Sequence, residues 1–119
     1  MIHQVSVLEM SPQEVRNGML NKQILLVDVR EPQEYAAERI HGALLYPLST
    51  FDDAYLPKDA DRQLVFHCAG GVRSLNAATR RLAASGKAIH MKGGLAAWKA
   101  AGLPTVRVDP ATGQVMDVR

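Results

Sequence analysis

Cys68 is the only cysteine among 119 residues, and its neighbours suit a reactive thiol. It closes the apolar run "QLVFHC" and is followed by Ala69, Gly70, Gly71 and Val72, with Arg73 and Ser74 leading into a helical pattern. Two adjacent glycines permit backbone angles that side chains resist. A tight loop of this kind can turn its N–H groups inward as a nest for an anion. The helix that starts there adds free amides and the positive end of its dipole. Both features favour thiolate over thiol and draw the Cys68 pKa below the free value of about 8.5. Such a thiolate is a nucleophile without a separate base, with donors aimed at the charge that develops on its target. A solitary cysteine is more often a small buried hydrophobe. A filler, however, requires neither a glycine pair nor a helix start directly after it.

The other polar candidates read as scaffolding. Arg73 can clamp an anion or tie the loop to a carboxylate. The tie is favoured because a guanidinium fork pairs well with a carboxylate, and Asp28 and Glu34 are the candidate partners. Asp28 and Arg30, in "DVREP", fall at a strand end on the active side and are expected to support the loops. His67 precedes Cys68 on a strand and should point to the opposite face, as a structural residue and not a general base. His3, His41, His67 and His90 show no metal-ligand spacing, so no metal is expected. His41 reads as a turn or surface residue, Trp98 as packing for the last helix, and Arg80 and Arg81 as a solvated face.

These residues must be positioned by alternating strands and helices. "HQVSVL" reads as a short strand, and "SPQEVRNGML" as a helix opened by a capping box, with Ser11 as N-cap, Pro12 at the first position and Glu14 three residues on. "QILLVDV" is a strand buried on both faces, "EPQEYAAERI" a short helix and "GALLYPL" a second buried strand. "STFDDAYLPKDADR" is turn-rich with one helical turn, and "QLVFHC" is a third apolar strand. In "SLNAATRRLAASG", Leu75, Ala78 and Leu82 share the buried face of a helix that Gly86 ends. "KAIHM" is a strand, "GGLAAWKAAG" a helix, and "TVRVDPATGQVMDVR" two short strands around a turn. The alternation predicts an α/β fold, a mostly parallel central sheet of about five strands with helices on both faces. In such sheets ligands bind at the carboxyl ends of strands, where Cys68 lies.

Composition narrows the function classes. With 47% hydrophobic and 22% charged residues, the chain can bury a core of its own. A net charge of +2 without Lys/Arg clusters gives no case for nucleic acid and slightly favours small anions. No segment approaches the ~18 apolar residues of a membrane helix. The start "MIHQVSVLEMSPQEV" lacks the basic and apolar regions of a signal peptide, and a lone cysteine suits a reducing, cytoplasmic setting.

"HCAGGVRS" resembles the active-site loop of the rhodanese family, Cys-x-x-Gly-x-Arg, matched by Cys68, Gly71 and Arg73. "LLVDVREPQEYAAERIHGALLYPL" is similar to that family's first conserved block and "MKGGLAAWKAAGLPTV" to its closing one, together covering most of residues 24–106. The resemblance implies one rhodanese-like domain over 1–119, with its core at 3–106 and a C-terminal extension at 107–119, a three-layer fold, and a sulfurtransferase without metal or organic cofactor. Cys68 would attack the sulfane sulfur of thiosulfate or a persulfide and hold it as a persulfide. The backbone N–H groups of Ala69, Gly70, Gly71, Val72 and Arg73 would cradle that sulfur, with Asp28, Arg30 and Ser74 in support. The sulfur would then pass to cyanide in an assay, or to a thiol or a protein in the cell. Arg39 and His41 depart from the family's Gly-His-Ile, and Ala69 and Gly70 supply no basic side chain for thiosulfate.

Three alternatives stay open. A sulfur carrier would serve a dedicated protein partner with little small-molecule turnover. A tyrosine-phosphatase-like enzyme would use His-Cys-x5-Arg, but here the spacing is Cys-x4-Arg, one residue short of the ring a phosphate needs. A regulatory or redox-sensing module would use an exposed low-pKa thiolate prone to sulfenic acid formation, though the chain holds no resolving cysteine.

Overall fold

A computed structural model describes residues 6–57 and 61–118. The capping box forms as the sequence predicts: Glu14 N–H donates to Ser11 Oγ at 3.2 Å and Ser11 N–H to Glu14 Oε1 at 3.0 Å. It opens α1 (Pro12–Leu20) after β1 (Leu8–Met10). Apolar runs then give β2 (Ile24–Asp28), α2 (Pro32–Ala37), β3 (Glu38–Arg39) and β4 (Leu44–Leu45). Two 3-10 turns, Leu48–Thr50 and Asp53–Tyr55, lead to β5 (Gln63–His67) and α3 (Val72–Ser85). The chain continues through β6 (Ile89–Met91), α4 (Gly94–Ala100), β7 (Thr105–Val108) and β8 (Val115–Val118).

The central sheet has the order β1-β6-β5-β2-β4, and each of its pairings is parallel. Period-two alternation sends Ile24, Leu26, Val65, Ile89 and Met91 to one face, where α1 and α4 contribute Val15, Leu95 and Trp98. Leu64, Phe66, Val27 and Cys68 go to the other face, under Ala77 and Ala78 of α3. The strands buried on both faces are those that read as unbroken apolar runs.

Several expectations are corrected. The first strand starts at Leu8, because its register is set by pairing with Ile89; residues 3–5 of the expected span lie outside the described residues. The predicted second buried strand shrinks to Leu44–Leu45 at the sheet edge, with Leu44 exposed. The helix expected over 31–40 stops at Ala37, because Glu38 and Arg39 pair antiparallel with Arg107 and Val106. Leu75 faces solvent, and Ala77 takes its place beside Ala78 in the core. Of the expected solvated face, Arg80 is exposed and Arg81 is not. Arg81 Nη1 binds Asp53 Oδ1 at 3.1 Å in a largely buried pair, and Arg80 lies 5.8 Å from the centroid of the Phe51 ring. The tail forms two strands around a turn, as expected, and they join β3 in a second, three-stranded sheet. Exposed His41 and buried Trp98 stand as expected.

Candidate active site

β5 delivers Cys68 to the carboxyl end of the sheet, and residues 69–71 turn the chain into α3. Gly71 holds φ at 107°, a left-handed backbone open to glycine, where the loop turns into α3. Cys68 Sγ accepts from Gly71 N–H at 3.1 Å and from Ser74 N–H at 3.2 Å, and the Ser74 hydroxyl lies 3.5 Å away. Burial pushes the Cys68 thiol up. The Ser74 hydroxyl and the N–H groups of Ser74, Gly71 and Gly70 outweigh it and bring the pKa below that of a free thiol. The sulfur is not exposed, against the expectation for a redox sensor: Cys68 is only 1% accessible. Ala69 and Gly71 are half-buried, Gly70 is exposed, and Val72 projects outward at 82% accessibility.

A second element fixes the loop from beneath. The N-terminus of α4 donates Leu95 N–H to Cys68 O at 2.8 Å and Ala96 N–H to Ala69 O at 3.1 Å. Gly94 makes this approach feasible. A Cβ there would sit 2.6 Å from Ala69 C and O, and closer still to Cys68 O. In the sequence, the one local sign of this close approach is the pair "GG" at residues 93–94, directly before a helix.

Arg73 is tied to a carboxylate, Glu34. Its Nη1 donates to Glu34 Oε1 at 2.7 Å and its Nη2 to Glu34 Oε2 at 3.0 Å, a bidentate fork that fastens α3 to α2. The Arg73 fork, opposed by partial burial and helped by the Glu31 N–H, brings the Glu34 carboxyl down to about 2. Asp28, the other candidate partner, lies on the face opposite Cys68. It accepts from Arg30 Nε at 3.1 Å, Arg30 Nη2 at 2.9 Å and Arg30 N–H at 2.9 Å. Arg30 Nη2 also donates to Glu38 O at 2.6 Å. Burial pushes the Asp28 carboxyl up, but His67 and the Arg30 guanidinium reverse this and hold it far below the usual range. His67 Nε2 is 3.4 Å from Asp28 Oδ2, a long contact, so the Arg30 fork is the firmer tie. Asp28, Arg30 and His67 thus form a buried brace behind the sheet end, away from the sulfur, as alternation predicts for His67. Ser74 has a further contact that no local motif announces: its Oγ lies 3.1 Å from His90 Nδ1 on β6.

The arrangement presents one cysteine with a lowered pKa at the end of a parallel strand, its sulfur accepting from two loop amides, with no free cation among residues 69–72. A hollow of about 770 Å³ lies elsewhere, between α2 and the C-terminal hairpin, so chemistry and not concavity marks the site.

Known proteins carry the same framework. A protein named sulfurtransferase from Allochromatium vinosum is 34% identical over 84 residues, covering 70% of this chain and 78% of that protein. An uncharacterized Synechocystis protein is 43% identical over 94 residues, 78% of this chain, and the chain spans about half of it, 52%. The crystal structure of a rhodanese-related protein from Thermoplasma volcanium matches with a TM-score of 0.70 at 26% identity, covering 83% of this chain and 97% of that one. The rhodanese-like domain pattern itself matches residues 11–101, so this chain belongs to the rhodanese-like domain family.

Proposed function

We propose that the chain is a sulfurtransferase in which Cys68 carries sulfur as a persulfide. The observation that bears most weight is the convergence of Gly71 N–H, Ser74 N–H and the Ser74 hydroxyl on Sγ within a four-residue spacing to Arg73. That ring suits a single sulfur atom better than a tetrahedral phosphate. The Cys68 thiolate attacks the sulfane sulfur of the donor, and the donor's S–S bond breaks. The donor fragment leaves with the electron pair, as sulfite from thiosulfate or as a thiolate from a persulfide. An acceptor anion, cyanide or a thiolate, then attacks the outer sulfur and returns Cys68 as thiolate. Charge balances in both halves, and no redox partner is needed.

What surrounds the loop supports one donor class over the other. Arg73 is committed to Glu34, and Ala69, Gly70 and Val72 bring no charge, so a dianion finds no cationic side chain there. This favours a persulfide over thiosulfate. A second reading, transfer to a dedicated protein acceptor, is supported by the exposed apolar side chains of Val72 and Leu75 at the start of α3.

Intact-protein mass spectrometry after incubation with glutathione persulfide, and separately with thiosulfate, tests the proposal. Wild type should gain one sulfur atom, Cys68→Ala none, and cyanide should remove it, with the persulfide the faster donor. No gain with either donor on folded, reduced protein would overturn it, and turnover of an aryl phosphate instead would move the reading to phosphatase chemistry.

A further inference from the structure

Behind Ser74 a line of polar groups runs from the buried sulfur to the surface. Cys68 Sγ and Ser74 Oγ are 3.5 Å apart, Ser74 Oγ and His90 Nδ1 3.1 Å, and His90 Nε2 and Glu9 Oε2 3.2 Å. Cys68, Ser74 and His90 are buried, whereas the Glu9 side chain is half exposed on β1. Strand register builds the line: Glu9 and Phe66 are the pairing partners of His90 on either side, so residues from three strands and α3 meet on one face. Against His90 stand Glu9 of β1 and Phe66 of β5, its strand partners on either side, and Ser74 from α3.

The chemistry of the ends fixes the middle. An ionised carboxylate only accepts, so His90 Nε2 carries hydrogen and donates to Glu9. In the neutral ring Nδ1 is then an acceptor, aimed at the Ser74 hydroxyl. That hydroxyl has one proton and three acceptors in reach, Cys68 Sγ, His90 Nδ1 and Gly71 O at 3.1 Å.

We propose that Ser74, His90 and Glu9 form a proton relay that takes up the Cys68 proton when the thiolate forms. His90 acts through Ser74 and is a positioning residue for the nucleophile. The S–H proton passes to Ser74 Oγ as the Ser74 proton passes to His90 Nδ1. Ser74 ends with one proton, as it began; Sγ holds the negative charge, the imidazolium the positive one, and Glu9 faces that cation through Nε2–H. The Ser74 hydroxyl, now accepting from Nδ1–H, is free to donate to the thiolate. This deepens the sulfurtransferase reading and rests on it for the use made of the thiolate. Without the relay, Ser74 would be a static cap bonded to Gly71 O.

The test is the pH profile of Cys68 alkylation by iodoacetamide, read by intact mass in the full chain. His90→Asn keeps an acceptor near Ser74 but cannot hold the proton. Its alkylation rate should fall about tenfold on the acid side of the profile, the low end of the effect of a nearby cation, and rejoin wild type in alkali, where the thiolate is complete. Glu9→Gln, at the exposed end, should shift the profile in the same direction by less. A purely structural role would lower the rate at every pH alike. Superimposable profiles for wild type and both folded variants would overturn the relay, as would a pH-independent loss. Should His90→Asn not fold, the imidazole nitrogen shifts of His90 in wild type decide. They should keep the imidazolium values through the Cys68 alkylation step and up to a higher pH than in Cys68→Ala, because the internal transfer releases no proton and the thiolate then holds the cation; the same midpoint in both chains would overturn the relay. Neither readout needs a sulfur donor. A chain that shows the relay but takes up no sulfur fails only the proposed function, and one that takes up sulfur with identical profiles fails only the relay.

Discussion

Ser74 meets the Cys68 sulfur twice, through its N–H at 3.2 Å and its hydroxyl at 3.5 Å, and the two contacts can be separated. Ser74→Ala keeps the amide and removes the hydroxyl. Losing a hydrogen bond to a charged group is worth about 1.5–3 kcal/mol, so the thiolate fraction near neutral pH should drop about tenfold or more, at least as far as in His90→Asn, because the relay also runs through this hydroxyl. The rise of thiolate absorbance with pH, compared between wild type and Ser74→Ala, checks this; an unchanged midpoint would show that the amides alone hold the thiolate. The lowered pKa of Cys68 was legible because its cause is local: the Ser74 hydroxyl and the amides that lower it belong to the next six residues. Ser74 was legible only as a support, because its partner His90 lies 16 residues on and meets it through the fold of β6 under α3. No spacing along the chain announces a contact made by strand register.

Between elements, two contacts hold the loop in place, and they should fail differently. The Glu34–Arg73 fork joins α2 to α3, with both side chains about one-third exposed. The folded chain holds Glu34 at about 2 instead of 4.5. A depressed carboxyl adds stability that is complete above its unfolded pKa and is lost as pH falls through its folded one, so the fork should weaken from about 4.5 down to about 2. After allowing for solvent screening, Glu34→Gln should cost about 1 kcal/mol at neutral pH and close to nothing near pH 2, read from urea unfolding at each pH. Gly94→Ala is harsher. With φ at +61° and a new Cβ driven into the backbone of Cys68 and Ala69, it should cost about 2 kcal/mol or more and displace the loop. A normal melting temperature together with normal sulfur uptake would contradict the role given to α4. At this scale the sequence was readable wherever one element declares itself. The Ser11–Glu14 capping box, the apolar runs of β2 and β5, and Gly86 at the end of α3 are all such signals. It was not readable where a distant partner decides. Ala37 ends α2 because Glu38 is taken by β7, and Leu44 stays exposed because β4 is an edge strand.

Across the molecule, the site and the C-terminal hairpin stand apart. β7 is anchored inward: Thr105 Oγ1 donates to Glu38 Oε2 at 2.6 Å, and Trp98 Nε1 donates to Pro104 O at 2.8 Å. β8 pairs with β7, yet Val115 and Met116 remain exposed, and the molecule reaches 58 Å along an axis only 28 Å and 25 Å across. A strand that buries so little adds little to the core, and a two-stranded ribbon is marginal on its own. The loop after β5 is held by α2, α3 and α4, each fixed upstream of Thr105. Ending the chain after Asp109 should therefore lower the melting temperature only modestly and leave the rate of sulfur uptake by Cys68 within about twofold. Larger losses would mean that the ribbon steadies β3, and through the Arg30–Glu38 contact the brace at Asp28, so that the distant sheet reaches the sulfur after all. Arg30→Lys then discriminates between the two cases. It breaks the fork on Asp28 and the bond to Glu38 O while leaving β8 intact, and it should reproduce the loss of sulfur uptake only if that route exists.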